Sequence, residues 1–148
     1  MLTKEQLLKS SPNDYMNEEQ LAFFKNILIE QRNTINRDIN ECREILNDNE
    51  LEADPLDSAC SEEIKQITLL RVQRNTFSLH EIEESLNRIT TKEYGYCQET
   101  GDPIGLARLL ANPTATLCID SLENEERRQK IEGNIVEDHE DENNEAAA

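Results

Sequence analysis

Asp54-Pro55-Leu56-Asp57-Ser58-Ala59 is a short acidic turn set between two long segments that both read as helix. Asp54 suits a helix N-cap, Pro55 the first helical position, and Asp57 the third, as the reciprocal partner of the cap. Capping alone accounts for both carboxylates. It does not account for the length of chain on either side, because a capped helix start requires no finger beneath it. A chain that spends about half its length holding one turn away from its body is expected to use that turn.

Working outward from the turn, Asn17 offers an N-cap to the first segment, and Glu18, Glu19 and Gln20 fill the first turn as the helix dipole prefers. From there to about Asn49, Leu21, Phe24, Leu28, Ile35, Ile39, Cys42 and Leu46 form a stripe at helical spacing, with charged residues on the opposite face. After the turn, Ala59, Ile64, Ile67, Leu70, Phe77, Ile82, Leu86 and Ile89 carry a second stripe, diluted in its middle by Arg71, Gln73, Arg74 and Asn75. Two such helices with a short connection fold back antiparallel. The expected fold is therefore mainly α, a long antiparallel two-helix coiled coil over 17–91 with its tip at 52–59.

Residues 1–16 form a polar N-terminal arm with an apolar patch at Leu2, Leu7 and Leu8. Beyond the coiled coil, helix periodicity stops at Tyr94-Gly95-Tyr96-Cys97-Gln98-Glu99-Thr100-Gly101-Asp102-Pro103. Residues 92–132 read as a small turn-rich knot, with room for a short hairpin, that buries Tyr96, Ile104, Leu106, Leu109, Leu117 and Ile119, followed by a helix over roughly Ser121 to Ile131. The coiled coil is expected to project from this small globular domain. Residues 133–148 are an acidic tail too poor in apolar side chains to order itself.

Cys97-x-x-Thr100 and Cys118-x-x-Ser121 have the frame of a four-cysteine zinc knuckle in which the second member of each pair is a neutral hydroxyl. Two thiolates with Glu99 or Asp120 make a poor metal site, so no cofactor is expected and zinc is disfavoured. A thiol sensor built from Cys97 and Cys118 is a minor alternative.

The formal net charge of −17, from 32 acidic against 15 basic residues, would repel a polyphosphate backbone over most of the surface. Direct DNA or RNA binding is not expected, and a protein partner with a basic rim fits the sign better. No run approaches the length of a membrane span or a signal-peptide core, and four scattered cysteines suit a reducing compartment, so the chain is read as cytoplasmic.

Asp54-x-x-Asp57-x-Ala59, then Tyr94-Gly95-Tyr96-Cys97, Pro103-Ile104-Gly105, Arg108-Leu109 and Pro113-Thr114-Ala115-x-Leu117-Cys118-Ile119-Asp120, resemble the bacterial DksA/TraR family of transcription regulators. The similarity runs from about Tyr15 to about Lys130. It implies a non-enzymatic, monomeric factor that binds RNA polymerase, with the coiled coil entering the secondary channel and the tip acting near the catalytic centre to destabilise open promoter complexes. Carried over, Asp54, Asp57 and Ala59 are the tip triad, and Arg71 and Arg74 fall where the second helix meets the channel rim. The zinc site is reduced to Cys97 and Cys118. The alarmone-pocket positions fall on Glu81, Asn112 and Leu122, none of which can neutralise a phosphate, so synergy with guanosine tetraphosphate is doubtful.

Two other classes compete. A cytosolic coiled-coil scaffold or chaperone-like finger would use the tip only as a cap and bind partners along its stripe. A small thiol or metal enzyme at Cys97 and Cys118 lacks a general base or a third ligand.

Overall fold

The computed structural model describes residues 2–48 and 55–146. Among the described residues five α-helices follow in order, α1 (Lys4–Leu8), α2 (Glu18–Asp48), α3 (Pro55–Thr91), α4 (Leu106–Ala111) and α5 (Ile119–Ala146), with a short 3-10 helix at Pro12–Asp14 between the first two. Among the described residues there is no strand, only an isolated antiparallel bridge between Tyr96 and Pro103. By its internal contacts the chain divides into two compact units, Met1–Tyr94 and Gly95–Ala148.

The first unit is organised by α2 and α3, of 31 and 37 residues, which pack along one another. At about 1.5 Å per residue they extend roughly 45 and 55 Å. Near one end Phe24 meets Tyr94, with ring centroids 5.6 Å apart, and farther along Asp38 accepts hydrogen bonds from Arg71 and Asn75. As the position on α2 rises, its partner's number falls, so the helices are antiparallel.

The start of α2 follows the sequence reading. Asn17 Oδ1 accepts from the Gln20 N–H at 2.9 Å, and Gln20 Oε1 accepts in return from the Met16 N–H at 2.7 Å. At the same end of the hairpin Lys92 takes the left-handed conformation (φ 61°), and the Arg88 carbonyl accepts from the N–H groups of Glu93 and Tyr94. This reversal ends α3.

Phe24, Leu28, Ile39 and Cys42 are buried on α2, as its stripe requires. The stripe expected on α3 holds at Ile82, Leu86 and Ile89 and is corrected in its outer part, where Ala59 is exposed. Ile64, Ile67, Leu70 and Phe77 are 46%, 62%, 62% and 65% exposed. The seam runs instead through Ser61, Lys65, Thr68, Val72, Asn75, Leu79, Ile82, Leu86 and Ile89, all buried or half-buried. These positions alternate steps of four and three, the heptad that keeps one face toward a partner helix. Repeated steps of three from Ile64 to Leu70 fall back by about 60° each time, at about 100° per residue, and carry the apolar side chains off that face. Half the seam of α3 is accordingly polar.

The N-terminal arm docks within this unit. Thr3 and Gln6 form a capping box at the start of α1, and Leu7 is fully buried.

In the second unit, Gly95, Gly101 and Gly105 all take positive φ, and the N–H groups of Cys97 and Ile104 donate to the carbonyls of Asp102 and Gly95 at 2.8 Å. The anticipated hairpin thus shrinks to a pair of turns. Helix α4 is absent from the sequence reading; Leu109 on it is fully buried, and Ile104 and Ala115 on either side of it in the chain are buried as well. Ile119, expected inside, is 57% exposed at the first residue of α5. That helix runs on to Ala146, where the sequence reading expects a disordered tail from residue 133.

Candidate functional site

Three groups of side chains were singled out in the sequence: the tip, two arginines on the second helix, and the remnant finger. Asp54 lies outside the described residues. Pro55 is the first residue of α3, where its fixed φ and missing N–H cost nothing, and Asp57 falls in the first helical turn. Ala59, the third member, is exposed.

The two arginines have different surroundings. Arg71 is turned across the hairpin, where its Nε donates to Asp38 Oδ2 at 3.0 Å and its Nη2 pairs with Asp38 Oδ1. Asn75 Nδ2 donates to the same carboxylate. Asp38 is 22% exposed and Arg71 51%, so this clamp sits at the margin of the seam. Arg74 is exposed. The clamp was missed in the sequence, although Asp38 next to Ile39, and Asn75 at the heptad step after Val72, were its signals.

In the second unit the four remnant positions do come together. Cys97 Sγ and Cys118 Sγ lie 3.5 and 3.3 Å from Ser121 Oγ, and Thr100 Oγ1 is 3.9 Å from Cys118 Sγ. Cys97 and Ser121 are each 3% exposed. Burial pushes the Cys97 thiol up, but hydrogen bonds from the Ser121 and Thr100 hydroxyls and the Cys118 and Thr100 backbone outweigh it and hold the group at about 5. Around this cluster the Gln98 N–H donates to the Thr116 carbonyl at 2.9 Å, and Arg108 Nε to the Leu117 carbonyl at 3.1 Å. The two cysteine turns are thereby tied together by backbone as well as by side chains. In the first unit, burial beside Tyr15 pushes the Tyr94 hydroxyl up, against the lowering effect of Arg88.

Among the described residues no cluster of three or more His, Cys, Asp or Glu could hold a metal ion, and no helix is long and apolar enough to cross a membrane.

With this geometry in hand, comparison with known proteins is specific. Residues 20–89 match the family described as the N-terminal domain of the DnaK suppressor protein DksA, and residues 92–131 match the prokaryotic dksA/traR C4-type zinc finger. The RNA polymerase-binding transcription factor DksA of Caulobacter vibrioides is 36% identical over 132 residues, 88% of this chain and 93% of that one. Its namesake in Escherichia coli K12 is 36% identical over 118 residues, 79% and 78% of the two chains. The solved structure of transcription factor DksA2 from Pseudomonas aeruginosa is 41% identical, with a TM-score of 0.81 over 86% of this chain and 98% of that one.

The zinc-finger match brings a metal with it, yet the donors do not fit. A C4 site binds its ion with four thiolates, and this finger has two thiols and two neutral hydroxyls already engaged with the sulfurs.

Proposed function

Because the chain belongs to the DksA/TraR family, we propose that it binds bacterial RNA polymerase directly and regulates transcription without catalysing a reaction of its own. The observation that carries this reading is the antiparallel pairing of α2 and α3, two helices roughly 45 Å or more in length that bring residues 55–59 to the end of the pair remote from the Phe24–Tyr94 contact. A hairpin of this width can enter a channel closed to a globular body. In this account it enters the secondary channel of the polymerase, where Asp54 and Asp57, with Ala59 beside them, alter open-complex stability and so the rate of initiation, as at rRNA-type promoters.

The division of labour between the arginines follows from their surroundings. Arg71 holds the hairpin in register through Asp38, and Arg74, exposed on the same helix, meets the channel rim. The finger acts as a hydrogen-bonded knot. With Glu81, Asn112 and Leu122 at the alarmone positions, guanosine tetraphosphate has no phosphate partner among them, and the regulator works without it.

The test is co-purification of the intact chain with RNA polymerase from its own bacterium. Polymerase subunits retained in stoichiometric amount support the reading. Retention of other proteins only, along the length of the helices, would favour a coiled-coil scaffold.

A further inference from the structure

In its outer half helix α3 turns its more apolar side away from α2. Ile67, Leu70 and Phe77 are each more than 60% exposed, and with Arg74 they recur at steps of three, four and three residues. That spacing aligns them in one stripe, opposite the seam positions Thr68, Val72, Asn75 and Leu79. Single exposed apolar side chains are ordinary, but a contiguous stripe of large ones marks a surface built to be covered. It stands out in a chain with three Phe, three Tyr and no Trp, which has little large apolar surface to spare.

The charges around the stripe say what covers it. From Ile64 to His80 there are Lys65, Arg71 and Arg74 and no Asp or Glu, whereas Glu62 and Glu63 precede this stretch and Glu81, Glu83 and Glu84 follow it. In a chain of formal net charge −17 this is an island of the opposite sign. Arg71 is drawn to Asp38, which leaves Arg74 as the cation within the stripe itself.

We propose that Ile67, Leu70, Arg74 and Phe77 form a docking surface for an apolar groove edged by carboxylates on a protein partner. Resting on the polymerase reading above, the groove is placed on RNA polymerase. The contact is thus chiefly apolar burial, with Arg74 setting orientation against a carboxylate. A second copy of this chain fits less well, because a two-fold contact would set Arg74 against Arg74. Nucleic acid fits less well because the acidic remainder of the surface repels it.

The test measures binding of the intact chain to purified core polymerase of its own bacterium, at about 50 and about 300 mM salt. Three proteins are compared: wild type, Leu70→Gln/Phe77→Gln and Arg74→Gln. The double variant should bind at least about tenfold more weakly at both salt concentrations, with helix content and melting temperature not lowered, since both side chains are exposed. Arg74→Gln should lose about threefold at low salt and flatten the salt dependence. Equal binding by wild type and the double variant overturns the docking surface and leaves the polymerase reading standing, whereas a wild type that does not bind polymerase overturns both. A wild-type dimer abolished by the double substitution, binding to duplex DNA lost in the same variant, or a lowered melting temperature would each also overturn it.

Discussion

Replacing Asp38 by Ala should loosen the outer part of the hairpin and spare its base. The carboxylate accepts from Arg71 Nε and Nη2 and from Asn75 Nδ2, and beyond it the α3 seam offers Thr68, Lys65 and Ser61 in place of apolar side chains. A fully buried charge-assisted bond would contribute about 1.5–3 kcal/mol. Because Arg71 is 51% exposed, its share falls to the surface range of about 0.2–1 kcal/mol. The half-buried Asn75 bond adds on the order of 1 kcal/mol, for a total of roughly 1–2 kcal/mol. Local opening of the segment from Ile39 to Asp48 and from Pro55 to Arg71 should therefore become about 5 to 30 times more frequent. Hydrogen exchange read by mass spectrometry resolves this, with protection lost in those peptides and retained around Phe24, Leu28 and Ile82. Unchanged exchange, or an equal loss at the base, would refute the assignment of Asp38 as the clamp.

Three further outcomes are expected. Phe24→Ala removes a fully buried ring packed against Tyr94 and should cost about 3–5 kcal/mol in chemical denaturation, far more than any substitution in the polar half of the seam. Cys97 is depressed in the folded chain from an ordinary value of 9.0 to about 5, so its contribution is full above pH 9 and is lost as the pH falls toward 5. Thiolate absorbance should show that low midpoint, and Ser121→Ala, which deletes a hydrogen-bond donor, should raise it; an unchanged midpoint would count against the Ser121 contact. Elemental analysis of the purified chain should find zinc well below one per molecule, and one tightly held zinc would mean that Thr100 and Ser121 have been misjudged as non-ligands.

Much of this fold is legible in the sequence because helix signals are local. Asn17 as a cap, Pro55 as a first helical residue and the stripe on α2 each act within a few residues, and each is found where the spacing puts it. The face of α3 is not local information. Two rows of side chains compete there, and the apolar one, Ile64, Ile67, Leu70 and Phe77, is the row turned outward. Only the partner helix decides, and it selects the heptad that contains Thr68 and Asn75. Hydropathy misleads where a seam is polar, and three of the misassigned residues, Ile67, Leu70 and Phe77, belong to the proposed docking surface. The finger shows the converse. Its Cys-x-x-Thr and Cys-x-x-Ser spacing correctly brings four side chains together, but which hydroxyl serves which sulfur depends on backbone turns that the spacing does not specify. In α5 the sequence reading follows net charge beyond residue 133, whereas the helix continues to Ala146.

The most direct measurement is transcription in vitro from an rRNA-type promoter with the polymerase of the same bacterium, comparing wild type with Asp57→Asn, which leaves size and helix start in place and deletes one charge. The account predicts that the variant binds polymerase with near wild-type affinity yet no longer changes transcript yield. A variant that still changes yield as wild type does would contradict it, and the working part of the molecule would have to be sought away from the tip.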